Sequence, residues 1–282
     1  DPDPWRDRFR DPAVRGSRMA LGLLARSADP AALPPGSTTA LAELMARRRL
    51  DPARTLAAAQ FAHPNDFLIP FALGEWFHNR KDDAASVAYY RTARATRPDN
   101  FAVLINMGHG LLYRGDADGA AVAFREAIRL EPEFTVGYNS LGMALHAGGD
   151  RDGAIAAFRK VIGLDPTDAF ARTNLGNVLR DKCDYGGAIA AHTEAVRLQP
   201  RRAGIRVNLG VALDAGGKAD EALAAFREAV RVDEKYALAH TALGFALKKR
   251  GELGEAIAAF RKAAELEPED SRAHSNLGTA LQ

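Results

Sequence analysis

Counted in blocks of 34 from Phe67, the chain places asparagine again and again at the sixth position: Asn106, Asn174, Asn208 and Asn276. Asn139 stands one place earlier in its block, and Asn177 three places after Asn174. Asparagine is a mediocre helix former, so its recurrence at one register calls for a reason. An amide side chain offers a donor and an acceptor together. A row of such amides on one face could hydrogen-bond the backbone of an extended peptide whatever its sequence. It could equally bond a neighbouring helix and set the pitch of a stack, and repeats copied from one ancestor would share the residue in either case.

The elements that carry these asparagines follow from the period. Glycine stands at 74, 108, 142, 176, 210, 244 and 278, and proline at 64, 98, 132, 166, 200 and 268, with Glu234 in the one empty place; every step is 34 or twice 34. A fixed period of this length is the mark of a helical solenoid. With the glycine as slot 8 and the proline as slot 32, one helix is expected over about slots 1–14 and a second over about 16–30. Leu104, Met107, Gly108 and Leu111 take the i, i+3, i+4, i+7 face of the first helix. Ala120, Phe124 and Ala127 share one face of the second. Small residues at slots 8 and 20 let the helices approach, and slot 24 fills the space beside them with Tyr90, Phe124, Phe158, Phe226 and Phe260. His192 is the departure at slot 24, and a locally weaker core is expected there. The asparagine slot lies off this core face.

Slots reading L-G-x-x-L, then A-x-x-x-F-x-x-A, then P, resemble the tetratricopeptide repeat; Asn174-Leu175-Gly176-Asn177-Val178-Leu179 with Ala188, Ala195 and Pro200 is a good copy. The resemblance spans 67–282, as six full repeats (67–100, 101–134, 135–168, 169–202, 203–236, 237–270) and a truncated seventh (271–282). It implies an all-α, right-handed superhelical solenoid of antiparallel helix pairs whose first helices line a concave groove for a peptide or protein segment. It also implies that slots 2, 5, 6, 9, 12 and 13 face that groove. The groove candidates are therefore Asn106, His109, Asn139, Asn174, Asn177, Arg180, Asn208, Lys248, Lys249 and Asn276, with Tyr113 and His146 beside them, and the pair of repeats around Asn174, Asn177 and Asn208 is the favoured place. The asparagine row is similar to the ladder in the repeat superhelix of O-linked N-acetylglucosamine transferases. The family's two-carboxylate clamp for chaperone tails is not matched: Thr173, Leu238 and Ala242 stand where it wants cations. Arg180, Lys248 and Lys249 leave an acidic preference in a target open, beside the plainer role of solvating helix ends.

Composition narrows the function further. Apolar residues make up 47% and charged residues 26%, which suits a folded soluble chain, and the net charge of +2 is too small to make nucleic acid the expected partner. One cysteine, Cys183, excludes an internal disulfide framework and a CxxC motif; it takes the turn slot that glycine fills in sister repeats. No HxxxH or HExxH spacing occurs, so no metal or cofactor is expected, and His240 and His274 share a slot without forming a ligand pair. No apolar run approaches the ~18–20 residues that span a bilayer. The amino-terminal stretch has charges throughout and no signal-type apolar region. A cytoplasmic, non-membrane location follows as the expectation.

Residues 1–36 do not repeat. Asp1-Pro2-Asp3-Pro4 is suited to a helix start, Trp5, Arg8 and Phe9 to a short helix with an aromatic face, and Ser17 to capping a helix that runs to about Arg26 with Met19, Leu23 and Leu24 on its apolar side. Ala28 to Ser37 reads as a loop. Residues 37–66 read as a degenerate repeat, with Leu41, Leu44 and Met45 on a first helix that is shortened or displaced, and Leu56, Ala59 and Phe61 on a second that starts at Asp51-Pro52. DPDPWRDRFRDPAVR, LPP and AAAQFAHPNDFLIPFALGEWF are similar to the segment that joins kinase and repeat array in some large bacterial Ser/Thr protein kinases. That resemblance implies a substrate-recruiting region of a larger enzyme. The chain itself has no glycine-rich phosphate loop, VAIK-like lysine, HRD or DFG, and no Ser/His/Asp or paired-carboxylate set stands out, so it is not expected to be an enzyme. With no initiator methionine and an end partway through a repeat, a longer parent protein is expected. Leu277 and Leu281 would then be exposed, cover a following repeat, or pair with another copy.

Overall fold

The computed structural model describes residues 4–29 and 32–281; the helix-start reading of Asp1-Pro2-Asp3 lies outside them. Helices account for the described elements throughout, in the order α1 (Pro4–Arg10), α2 (Pro12–Gly16), α3 (Arg18–Arg26), α4 (Pro35–Arg47) and α5 (Ala53–Ala62). Six regular pairs follow: α6 (Leu68–Asn79) with α7 (Asp83–Thr96), α8 (Phe101–Tyr113) with α9 (Ala117–Leu130), α10 (Thr135–Ala147) with α11 (Arg151–Leu164), α12 (Ala169–Asp181) with α13 (Tyr185–Leu198), α14 (Ala203–Ala215) with α15 (Ala219–Val232), and α16 (Ala237–Lys249) with α17 (Leu253–Leu266). α18 (Ser271–Ala280) is a first helix without its second. The contacts divide the chain into two compact units, residues 1–140 and 141–282. Within each unit the helices pack as pairs and each pair stacks on the next, an all-α helix-pair solenoid.

The pairs are locked by a ring seated on a glycine. A Cβ built on Gly108 would come 2.5 Å from the Phe124 ring, and Gly74, Gly142, Gly210 and Gly244 face Tyr90, Phe158, Phe226 and Phe260 in the same way. No real Cβ survives at such a distance, so slot 8 must be glycine wherever a ring sits on it. The rings are buried, and Ser86, at slot 20, donates its hydroxyl to the Gly74 carbonyl at 2.9 Å. Burying a Phe contributes about 1.5–3 kcal/mol, so each ring is a substantial part of its pair's stability.

Turn chemistry repeats as closely. Slot 15 is in the left-handed region in every regular pair: Lys81, Gly115, Gly149, Cys183, Gly217 and Gly251 have φ between 62° and 85°. Cys183 is thus a turn residue, as the spacing predicts, held where glycine is the unstrained choice. Slot 16 then caps the second helix, with Asp82, Asp116, Asp150 and Asp184 each accepting a backbone N–H three residues on, whereas Lys218 and Glu252 provide no such cap.

The amino-terminal segment corrects two expectations. Ser17 does cap α3, accepting from the Ala20 amide at 3.2 Å. The buried face of α3 is Leu21, Leu24 and Ala25, however, and Met19 is 78% exposed. Leu21 and Ala25 pack with Leu41 and Met45, with Trp5 and Phe9 against them; these partners select a stripe rotated from the one the local pattern suggests. In the degenerate repeat α4 keeps 13 residues. It begins two positions later than the register of the regular repeats would place it, and its left-handed turn residue, Arg49, shifts by the same two. The first helix is therefore displaced and not shortened; α5, started late by Pro52, is the short one, with 10 residues. Leu56 and Ala59 are buried, but Phe61 is 90% exposed and belongs to no core.

Candidate functional site

In each unit the first helices of neighbouring pairs also meet each other: α4 with α6, α6 with α8, α12 with α14 and α14 with α16. The family resemblance assigns slots 2, 5, 6, 9, 12 and 13 to that face. Its candidates fall into two groups, those satisfied by the protein's own groups and those lining open clefts.

In the unit of residues 1–140, the first group prevails. Asn106 hydrogen-bonds the Tyr90 hydroxyl of the preceding pair, a group that burial, and then the charge of Glu75, pushes above its ordinary range. His109 lies 3.1 Å from Ser140 Oγ and edge-on to Phe124, with ring centroids 5.2 Å apart. Burial, helped by the neighbouring His78, holds His109 below the usual imidazole range. Asn139 is half-buried, and Tyr113 is exposed beside His78.

In the unit of residues 141–282 the candidates divide. The Asn174 Nδ2 is buried without a hydrogen-bond partner. Asn177 is half-buried on the same helix. Arg180 pairs with Asp181 at 3.0 Å, and the same carboxylate meets His146 at 2.9 Å. Partial burial of Asp181 opposes its ionisation, but its bonds to His146 and Arg180 prevail and hold it below the ordinary carboxylate range. This trio ties α10 to α12 and leaves Arg180 with its charge already matched.

Asn208, Lys248 and Lys249 are brought together. They line a cleft of about 840 Å³ between α14 and α16, with Val211, Leu238 and Phe245 as its apolar surface. Lys249 closes an ion pair with Asp214 at 2.8 Å, and Lys248 reaches the Thr279 carbonyl at 3.1 Å. Asn276 lines a second cleft, of about 630 Å³, between α16 and α18, with Arg272 and Ser275 on its own helix. Leu238, Thr241 and Phe245 belong to both clefts. They form one stripe (i, i+3, i+7) on α16, and Leu238 and Phe245 are each 51% exposed. Phe245 is braced edge-on by buried Phe260, centroids 5.1 Å apart.

This apolar stripe is what sequence reasoning missed. Leu238 entered the reading only as a residue that fails a cation clamp. The available signal was a large apolar side chain at slots 2 and 9, off the core face; Phe170 at slot 2 is exposed in the same way. The paired histidines, by contrast, have a purely local role: His240 and His274 each bond a backbone carbonyl six residues back, Glu234 and Pro268, at 2.9 Å. Among the described residues no cluster of metal-ligating side chains occurs, and no helix is long and apolar enough to cross a membrane.

Comparison with known proteins agrees with this geometry. Residues 105–169 and 173–239 match a family described as tetratricopeptide repeat, and residues 246–282 match a second described as TPR repeat. No curated protein matches the chain by sequence. Among solved structures, a tetratricopeptide repeat protein from Parabacteroides merdae is 15% identical, with the match covering 88% of this chain and 99% of that one at a TM-score of 0.72. MamA from Desulfovibrio magneticus is 27% identical over 61% of this chain and 97% of its own, at 0.53. A thermophilic TPR protein of Thermus thermophilus is 21% identical over 64% and 99%, at 0.55.

Proposed function

We propose that this chain, which belongs to the tetratricopeptide repeat family, is a protein-interaction scaffold that holds a peptide or protein segment on the face lined by its first helices. The observation that carries this reading is the half-exposed Leu238–Phe245 stripe of α16, set between Asn208 on α14 and Asn276 on α18. Large apolar side chains on a braced, preformed surface supply the non-specific part of affinity, and flanking amides supply backbone hydrogen bonds that order an extended ligand. On this reading the working groove lies one to two repeats further along the chain than the sequence expectation, because Arg180 is already paired with Asp181 and Asn174 lines neither cleft, whereas Asn208 lines one of them.

The test is peptide selection. Panning a random peptide library on the immobilised protein is expected to yield ligands that Phe245→Ala weakens about tenfold or more, and that the double variant Asn208→Ala/Asn276→Ala weakens by several-fold without a change in helical content. Ligands bound equally by wild type and both variants would remove this face as the site.

A second reading rests on sequence resemblance alone: the array would recruit substrates to a larger enzyme whose catalytic domain is carried outside this sequence, a Ser/Thr protein kinase by the amino-terminal stretch or, with less support, an O-linked glycosyltransferase by the asparagine row. The full reading frame decides it, through the presence or absence of a glycine-rich loop, lysine and HRD upstream of DPDPW.

A further inference from the structure

We infer that the groove on α16 selects an extended segment of mixed charge: an acidic group at one end, one or two large apolar residues in the middle, and a basic group at the other end. The inference rests on the groove assignment above and adds the chemistry of the occupant.

The two clefts share their apolar floor but differ in charge. Around the α14–α16 cleft stand Asp214, Lys248 and Lys249. Asp214 and Lys249 neutralise each other at 2.8 Å. Lys248 is bonded only to a neutral acceptor, the Thr279 carbonyl, so one positive charge remains. Around the α16–α18 cleft stand Glu267, Asp270 and Arg272. Asp270 and Arg272 pair at 3.2 Å, and Asp270 also caps α18, which leaves one negative charge on exposed Glu267. A cation and an anion thus stand at the two ends of a stripe of apolar surface, each beside a pair that has already cancelled.

Geometry sets a spacing. Leu238 to Lys248 is ten residues of helix, about 15 Å along the axis at about 1.5 Å per residue. An extended strand covers that in four to five residues at about 3.3 Å each. The ligand's acid and base should therefore lie at least that far apart, with the apolar residues between them over Leu238 and Phe245. An amide gives and accepts, so Asn208 and Asn276 tolerate either chain direction, and the order of charges along the ligand is left free. What the groove distinguishes is mixed ends from like ends.

The experiment uses three labelled peptides on this protein at low ionic strength: Asp-Ser-Leu-Ser-Phe-Ser-Lys and the same peptide with Asp at both ends or Lys at both ends, all capped. The mixed peptide is expected to bind about fivefold more tightly than either like-ended one, a difference of the size that exposed charge pairs provide. Lys248→Glu is expected to move the preference to the Lys-ended peptide, and Glu267→Lys to the Asp-ended one; both positions are exposed, so the fold is retained. Equal binding of the three peptides, all lost in Phe245→Ala, overturns the charge assignment and leaves the groove itself standing. Binding that Phe245→Ala does not alter, or no binding of any of the three, overturns the inference, and the library selection then judges the groove independently.

Discussion

The helix pairs α12–α13 and α14–α15 are built to one plan and differ in what sits on the glycine. In α14–α15 the Gly210 socket receives Phe226; in α12–α13 the Gly176 socket receives His192, whose Nε2 would lie 2.6 Å from a Cβ there. Both rings are buried, but neither His192 nitrogen has a hydrogen-bond partner. A phenyl ring enters such a site for the gain of leaving water, whereas an imidazole gives up hydrogen bonds that nothing inside replaces, a cost of about 1–3 kcal/mol per unsatisfied group. Burial, with the charge of Arg180 adding to it, lowers the His192 pKa to about 4. The comparison teaches that steric register and chemical fit are separate requirements of the repeat, and that the six regular pairs all meet the first while α12–α13 relaxes the second.

The largest expected effect tests the ring as such. Phe158→Ala, which empties the Gly142 socket, should lower stability by about 3–5 kcal/mol; an unchanged melting temperature would break the account of how the pairs are locked. Next comes the pH response of His192. Its folded pKa of about 4 lies below the ordinary 6.5, so between these values the unfolded chain binds more protons than the folded one. The neutral ring's stability is complete above pH 6.5 and declines as the pH falls towards 4, by up to about 3 kcal/mol. His192→Phe should remove that decline and raise stability at neutral pH by about 1–3 kcal/mol. Thermal melts of both proteins from pH 7.5 to 4.5 read the two effects together, and parallel curves would show that His192 does not titrate as described. The smallest effect concerns the turn of the same pair. Cys183→Gly relieves a left-handed residue and should stabilise by about 1 kcal/mol, measured by denaturant midpoint; a loss of stability would mean that the side chain has a packing role in the turn.

Much of the fold could be read from the chain because its physics is local. A glycine at slot 8 and a ring at slot 24 meet inside one hairpin, so their spacing alone predicts the contact, and the same holds for Cys183 in its turn. Where a partner comes from elsewhere the pattern misleads. Met19 fits the apolar stripe of α3 as well as Leu21 does, and only the position of Leu41 and Met45 decides between them. For the candidate site, the sequence points to a run of helices and not to which side chains the protein leaves open. Slot 6 supplies four of the ten candidates, Asn106, Asn174, Asn208 and Asn276, all on first helices, but whether an amide meets a tyrosine, as Asn106 does, or an open cleft, as Asn208 does, depends on the residue at slot 24 and slot 2 of adjoining pairs. Arg180 and Lys249 read as free cations because their carboxylates, Asp181 and Asp214, carry no mark in sequence that pairs them.

The ring-on-glycine lock also bears on how the chain finds its structure. Gly176 and His192, like Gly210 and Phe226, are 16 positions apart. The contact that fixes each hairpin therefore closes a short loop, and loop-closure entropy rises only slowly with length. Chains dominated by such near-neighbour contacts have low contact order and fold quickly, and in a linear array nucleation is open to any pair that can hold its own ring. The imidazole pair is the least suited to that role. Ordering in the unit of residues 141–282 thus has natural starting points on either side of α12–α13 and meets there last.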